Sequence, residues 1–181
     1  MPMTKENVVL IGFMGSGKTV IGRQTARLLG YEFVDADEEI QRVTGLSLHA
    51  LYKKHGEIRF RSEEELMIKK LAVRRSLVIA CGGSLMLEKE PIALLKEFGW
   101  FVLLHAEADV ILERVSRKNS RSKRPLLSDK PNLEQVRELL IKREQQYRGL
   151  ADYTLNNSEI GVEEAAAKIA GQYRQECQIN V

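Results

Sequence analysis

Gly12-Phe13-Met14-Gly15-Ser16-Gly17-Lys18-Thr19 decides the reading of this chain. It follows the apolar run Val8–Ile11 directly and matches G-x-x-x-x-G-K-S/T in full. Each residue type has a physical reason in this pattern. Glycines let the backbone curl, so that successive N–H groups point at phosphate oxygens. The Lys18 ammonium neutralises the β- and γ-phosphates, and the Thr19 hydroxyl is placed to hold Mg²⁺. Gly12, Gly15, Ser16, Gly17, Lys18, Thr19 and Val20 are therefore the expected nucleotide-binding residues, with Lys18 also catalytic. A glycine-rich turn can match an octapeptide by chance. Here it sits between an apolar run and a helical pattern, where a phosphate loop belongs.

Working outward, short apolar runs alternate with longer helical patterns. The spacing predicts strands at Val8–Ile11, Glu32–Asp35, Leu77–Cys81, Trp100–Leu104 and Tyr153–Leu155. Helices are expected at Thr19–Leu29, Glu38–Val43, Leu48–His55, Glu57–Arg74, Pro91–Phe98, Asp109–Arg117, Leu133–Leu150 and Val162–Gln175. The runs VVLI, LVIA and FVLL are continuously apolar rather than alternating, as strands buried on both faces are. Strands separated by helical crossovers mean βαβ units: an α/β fold with helices on both faces of a parallel sheet. Ligands then bind beyond the carboxyl ends of the strands.

The chain has 181 residues, 44% of them hydrophobic and 29% charged, with a net charge of +3. That is one soluble globular domain, 1–181, with no repeat or linker at which to divide it. Six basic residues and no acidic one lie between Arg114 and Arg124, and taking those six charges away leaves a body of −3. One concentrated basic loop on an acidic body fits a local anion site better than a nucleic-acid surface. Cys81 and Cys177 are far apart with no metal-ligand spacing, which argues for a reducing compartment and against a disulfide framework or a zinc site. No signal-like segment and no apolar run of about 18 residues is present, so the expectation is a cytoplasmic protein without membrane or nucleic-acid partners.

Other candidates lie at the strand ends. Asp35 and Asp37 leave the second strand two residues apart, so they should serve different tasks. Asp35 suits magnesium-bound water and Asp37 a substrate hydroxyl, although Asp37-Glu38-Glu39 also suits a helix N-terminus. By spacing alone, Arg61 reads first as a solvated partner of Glu64 or Glu65 and Arg143 as surface, while Gly82-Gly83 is either a place where backbone approaches a ligand or a plain turn.

Taken together, Gly12–Thr19, Asp35-Ala36-Asp37, Phe60-Arg61, Gly82-Gly83, Arg124-Pro125-Leu126-Leu127 and Arg143 with Tyr147 resemble shikimate kinase, in order, over about four-fifths of the chain. The resemblance implies a three-layer P-loop kinase fold with a five-stranded parallel sheet, a substrate-binding region at about 36–62 and a mobile lid at about 114–131. It implies ATP as co-substrate with Mg²⁺, and phosphorylation of the 3-hydroxyl of shikimate. Asp37, Arg61, Gly82, Gly83 and Arg143 match substrate-binding positions. Thr19 and Asp35 match the metal side, Arg124 the lid arginine at the phosphates, and Arg117 the one against adenine. Lys18, Asp37 and Arg124 are the expected catalytic set, in a chain expected to be monomeric. Three departures stand out: Ser84 replaces a third glycine, residues 156–161 lack a basic residue, and the tail after Gly171 matches no motif. Two rival readings share the phosphate loop: another small-molecule kinase, such as one for gluconate, and a nucleotide-binding regulator without turnover.

Overall fold

The computed structural model describes residues 5–82, 89–117 and 132–177. Gly83, Ser84 and Arg124 lie outside the described residues, as do residues 118–131 of the expected lid. The elements run β1 (Asn7–Ile11), α1 (Lys18–Leu29), β2 (Glu32–Asp35), α2 (Ala36–Thr44), α3 (Leu48–Ala72), β3 (Leu77–Ala80), α4 (Lys89–Phe98), β4 (Gly99–His105), α5 (Ala108–Arg117), α6 (Leu133–Arg148), β5 (Tyr153–Asn156) and α7 (Val162–Cys177). Arg114–Arg117, the start of the expected lid, is the last turn of α5.

The five strands form one parallel sheet in the order β2-β3-β1-β4-β5. β1 is central, pairing with β3 through Val8↔Val78 and with β4 through Val8↔Trp100. Successive side chains of a strand point to opposite faces, and the core divides accordingly. Val9, Ile11, Ile79, Phe101 and Leu103 pack on one face against Ile40 of α2, Ile68 and Leu71 of α3 and Tyr147 of α6. Val8, Leu10, Val78, Val102 and Leu104 pack on the other, against Ile21 of α1 and Ala165, Ile169 and Tyr173 of α7. A smaller cluster, Phe13, Ala108, Ile111 and Val136, joins the phosphate loop to α5 and α6. The result is a three-layer α/β/α arrangement, with the apolar runs buried on both sides as their composition requires.

Local signals set the element ends. Asp35 caps α2, its side chain accepting from the N–H groups of Asp37 and Glu38. Ser47 caps α3, and Asn132 with Gln135 forms a capping box at α6. The stretch Leu48–Ala72 is two helices joined at Gly56, whose φ of 79° and ψ of 177° break the helical path. The tail beyond Gly171 completes α7: Tyr173 is fully buried, and Glu176 accepts a 2.8 Å hydrogen bond from Trp100 Nε1. No helix of the described residues is long and apolar enough to cross a membrane. Both cysteines are free thiols.

Candidate active site

A cleft of ≈ 1380 Å³ opens at the carboxyl ends of the strands. Single-ligand pockets run to about 1,000 Å³, so there is room for two small molecules side by side. β1 delivers the phosphate loop to one end of it. Gly12 (φ 145°), Gly15 (φ 78°) and Gly17 (φ 94°) all adopt backbone that side chains resist. A Cβ on Gly12 would also stand 2.5 Å from the Leu104 carbonyl oxygen. Gly15, Gly17, Lys18, Thr19 and Val20 line the cleft, whereas Gly12 and Ser16 lie within the turn beneath it. Lys18 Nζ donates back to the carbonyls of Gly12 (2.7 Å) and Phe13 (3.0 Å). Ser16 is fully buried, and its Oγ is the one buried side-chain polar atom among the described residues without a hydrogen-bond partner.

β2 supplies the two aspartates, and α2 begins between them. Asp35 uses one carboxylate oxygen to cap α2 and the other to accept a 2.8 Å hydrogen bond from Thr19 Oγ1. The capping and metal-side readings of the aspartate pair are thus compatible, since two oxygens of one group do two things. Asp37 turns toward the end of β3. A Cβ on Gly82 would stand 2.5 Å from its Oδ2, so any larger residue there would push the carboxylate aside. Burial, followed by the charge of Asp35, pushes the Asp37 carboxyl up to about 6, with Lys18 opposing and Glu64 and Glu38 adding to the rise. Cys81 beside it is fully buried, and its thiol is pushed up to about 12 by burial and by the charges of Asp37 and Asp35. It is a neutral wall, not a nucleophile.

The second half of α3 brings Arg61 to the same cleft, and α6 brings Arg143 and Tyr147. Arg61 does pair with Glu64, at 2.8 Å, as a solvated helix would have it. The environment differs, however: the Glu64 side chain is only 2% exposed and Arg61 faces the cleft. A buried carboxylate holds the guanidinium where a second anion is to be met. Tyr147, on the turn after Arg143, is buried, and its phenol is raised by burial against the opposing charge of Arg143.

At the far end, beyond Gly15, the cleft is walled by Arg114 and Arg117 of α5 and by Asn157, Ile160 and Val162 after β5. Arg117 is exposed and paired to Glu113. The structure therefore gathers Lys18, Thr19, Val20, Asp35, Asp37, Arg61, Gly82, Arg117 and Arg143 around one space. Glu64, Arg114 and Asn157 join the site only through the tertiary structure. Glu64 was visible only as an i+3 partner of Arg61, Arg114 only as one of six basic residues, and Asn157 carried no local signal.

Comparison with known proteins gives a consistent picture. The shikimate kinase family model matches residues 14–174. A shikimate kinase of Pelotomaculum thermopropionicum is 42% identical over 164 residues, 91% of this chain and 93% of that protein. One of Thermodesulfovibrio yellowstonii is 41% identical over 170 residues, 94% and 96% of the two chains. Among solved structures, the shikimate kinase from Acinetobacter baumannii in complex with shikimate superposes with a TM-score of 0.84 at 35% identity, covering 96% of this chain and 95% of that one. A gluconokinase from Sinorhizobium meliloti, at 19% identity and a TM-score of 0.57, shares the fold alone.

Proposed function

The chain belongs to the shikimate kinase family, and we propose a division of labour among the residues of its cleft. The protein is a phosphotransferase: with ATP as co-substrate it phosphorylates the 3-hydroxyl of shikimate, giving shikimate 3-phosphate and ADP on the route to chorismate and the aromatic amino acids. One observation carries the assignment of roles. A partly buried carboxyl, Asp37, shares a cleft with a phosphate loop on one side and two guanidinium groups, Arg61 and Arg143, on the other.

The two arginines suit the substrate carboxylate, because a planar guanidinium binds carboxylate through paired N–H donors. Asp37 faces the hydroxyls. As the 3-hydroxyl oxygen bonds to the γ-phosphorus and the β–γ bridge opens, Asp37 orients the hydroxyl and accepts its proton. A carboxyl held near 6 is ionised at neutral pH yet basic enough for that task. Gly82 and Gly83 contribute backbone beside it, the latter on the strength of the resemblance. On the nucleotide side, the N–H groups of Gly15, Gly17, Lys18 and Thr19 face the phosphates. Lys18 leaves the loop carbonyls that it now satisfies and meets phosphate oxygens instead. The orphaned Ser16 hydroxyl is a further donor that the loop holds ready. On the strength of the resemblance, Arg117, which lines the cleft, is assigned to the base and Arg124 to the transferring phosphoryl group.

For Mg²⁺, the donor set fits: a hydroxyl and a carboxylate 2.8 Å apart, Thr19 Oγ1 and Asp35, are hard oxygen ligands of the kind magnesium takes alongside phosphate and water. When bound, the ion neutralises charge on the β- and γ-phosphates. We place the enzyme in the cytoplasm as a monomer. Two cysteines kept as free thiols suit a reducing compartment.

The decisive experiment follows ADP release by purified protein with Mg²⁺ and ATP, against shikimate, quinate and gluconate. Turnover should depend on shikimate. Preference for gluconate would favour the rival sugar-acid kinase, and nucleotide binding without turnover on any acceptor would favour a regulator. Lys18→Ala should lower kcat/KM by roughly 10²–10³-fold, since the phosphate charge is no longer matched. Near-normal activity would remove the phosphate loop from the mechanism.

A further inference from the structure

The segment after β5 enters the cleft as a tie between other elements. Asn157 is 1% exposed and uses all of its polar groups. Its backbone N–H donates to the His105 carbonyl at the end of β4 (2.9 Å). Its side-chain Nδ2 donates to the Ser16 carbonyl within the phosphate loop (2.6 Å). Its backbone oxygen accepts from Arg114 Nη2 (2.8 Å), and its Oδ1 from Arg114 Nη1 (3.3 Å). One residue thus joins β4, α5 and the phosphate loop. Nδ2 also lies 3.5 Å from where a Cβ on Gly17 would stand, against the residue that opens α1. The next residue extends the tie, Ser158 Oγ accepting from the Glu107 N–H at the start of α5 (3.0 Å).

The position of this tie matters because the cleft is continuous across it. Gly15, Gly17 and Lys18 lie on one side, and Arg114, Arg117, Ile160 and Val162 on the other. A ligand whose phosphates sit in the loop places its remaining part against that second wall. We propose that Asn157, braced by Arg114, is a positioning residue that holds the base-side wall in register with the phosphate loop, so that the two ends of ATP are gripped together. This rests on the nucleotide reading of the loop and goes beyond it. The sequence lacks a basic residue in 156–161; Arg114 of α5 brings a guanidinium to that loop from another element.

The physical consequence is selective. A buried amide bond removed leaves the Ser16 carbonyl and part of the Arg114 guanidinium unsatisfied, and frees the wall to move relative to the loop. Only a ligand that spans both parts loses from such movement, because the second contact no longer comes at high effective concentration.

The test compares ATP with inorganic tripolyphosphate, each with Mg²⁺, by calorimetric titration of the full-length protein. Asn157→Ala should weaken ATP about tenfold, the scale of one lost buried hydrogen bond, and leave tripolyphosphate and the KM for shikimate within roughly twofold. Asn157→Asp keeps the acceptors for Arg114 but sets an oxygen against the Ser16 carbonyl, so it should match the alanine variant. Arg114→Gln removes the brace without touching the amide. It should show the same selective loss, and it serves should either Asn157 variant fail to fold. Equal weakening of both ligands would mean that the amide only shores up the phosphate loop, and the proposal would be overturned. No change in either ligand would overturn it too. Lys18→Ala separates the underlying reading: it should weaken both ligands. If it weakens neither, the nucleotide assignment fails and the proposal falls with it; if it weakens both while Asn157→Ala weakens neither, the proposal fails alone.

Discussion

At Asp37, burial and a neighbouring carboxylate raise the carboxyl from 3.8 to about 6. Between those values the native state keeps a proton that the unfolded chain has released. Stability therefore falls as pH rises across that window, and the cost persists above it. Asp37→Asn should raise the unfolding free energy at pH 8 by roughly 1–3 kcal/mol and change it little at pH 4. Urea melts at the two pH values test this, and an equal effect at both would mean that no charge is buried there. Activity runs the opposite way: wild-type kcat/KM should rise with pH through about 6, as Asp37 ionises in the free enzyme. Gly82 offers a steric probe of the same group. A methyl there meets the Asp37 carboxylate at 2.5 Å, so Gly82→Ala should cost roughly 10–100-fold in shikimate kcat/KM. Unchanged kinetics would mean that the carboxylate position is not critical. At this scale the sequence spoke clearly about Gly12–Thr19, because loop curvature and phosphate charge demand those residue types locally. It spoke ambiguously about Arg61. Its pairing with Glu64 was legible from spacing, but whether the pair faced water or a cleft was not, since that depends on what α3 packs against.

At the scale of elements, α3 brings Arg61 to the cleft. Its two halves meet at Gly56, where φ is 79° and nothing lies within 4 Å of a built Cβ. Any penalty for a side chain there is one of backbone, not crowding. Gly56→Ala should destabilise the protein by roughly 1–3 kcal/mol. It should also raise the KM for shikimate more than that for ATP, because the following half-helix, with Arg61, changes direction. Thermal melts and initial rates would show this, and equal changes in the two KM values would mean that the kink does not position Arg61. Arg61→Ala itself should raise the shikimate KM by roughly 10–100-fold, the scale of a lost charged hydrogen-bond pair. Unaltered affinity would return Arg61 to the ordinary helix surface. The break at Gly56 was legible, since glycine between two helical patterns is a strong local signal. The caps at Asp35, Ser47 and Asn132 follow from equally local chemistry.

For the molecule as a whole, the closing helix matters beyond its distance from the cleft. Trp100 stacks on Tyr153, contacts Tyr173 and donates to Glu176, so the end of α7 seals one face of the sheet. Ending the chain at Gly171 should cost roughly 3–5 kcal/mol, as loss of a buried aromatic does. The loss should appear in a single transition followed alike by Trp100 fluorescence and far-UV circular dichroism. A stable truncated protein would show that the tail is ornamental. The tail matched no motif because its work is packing, and many apolar sequences pack. The sequence by itself determined the parallel α/β fold, the phosphate loop and the strand ends at which chemistry would lie. Apolar runs, helical periodicity and glycine positions are set by neighbours a few residues away. Only the tertiary structure decided which strand ends face one another, that Glu64 is buried behind Arg61, and that Asn157 ties the phosphate loop to α5. Those relations join residues as much as 141 positions apart, and no local pattern encodes a contact that exists only once β5 has paired with β4.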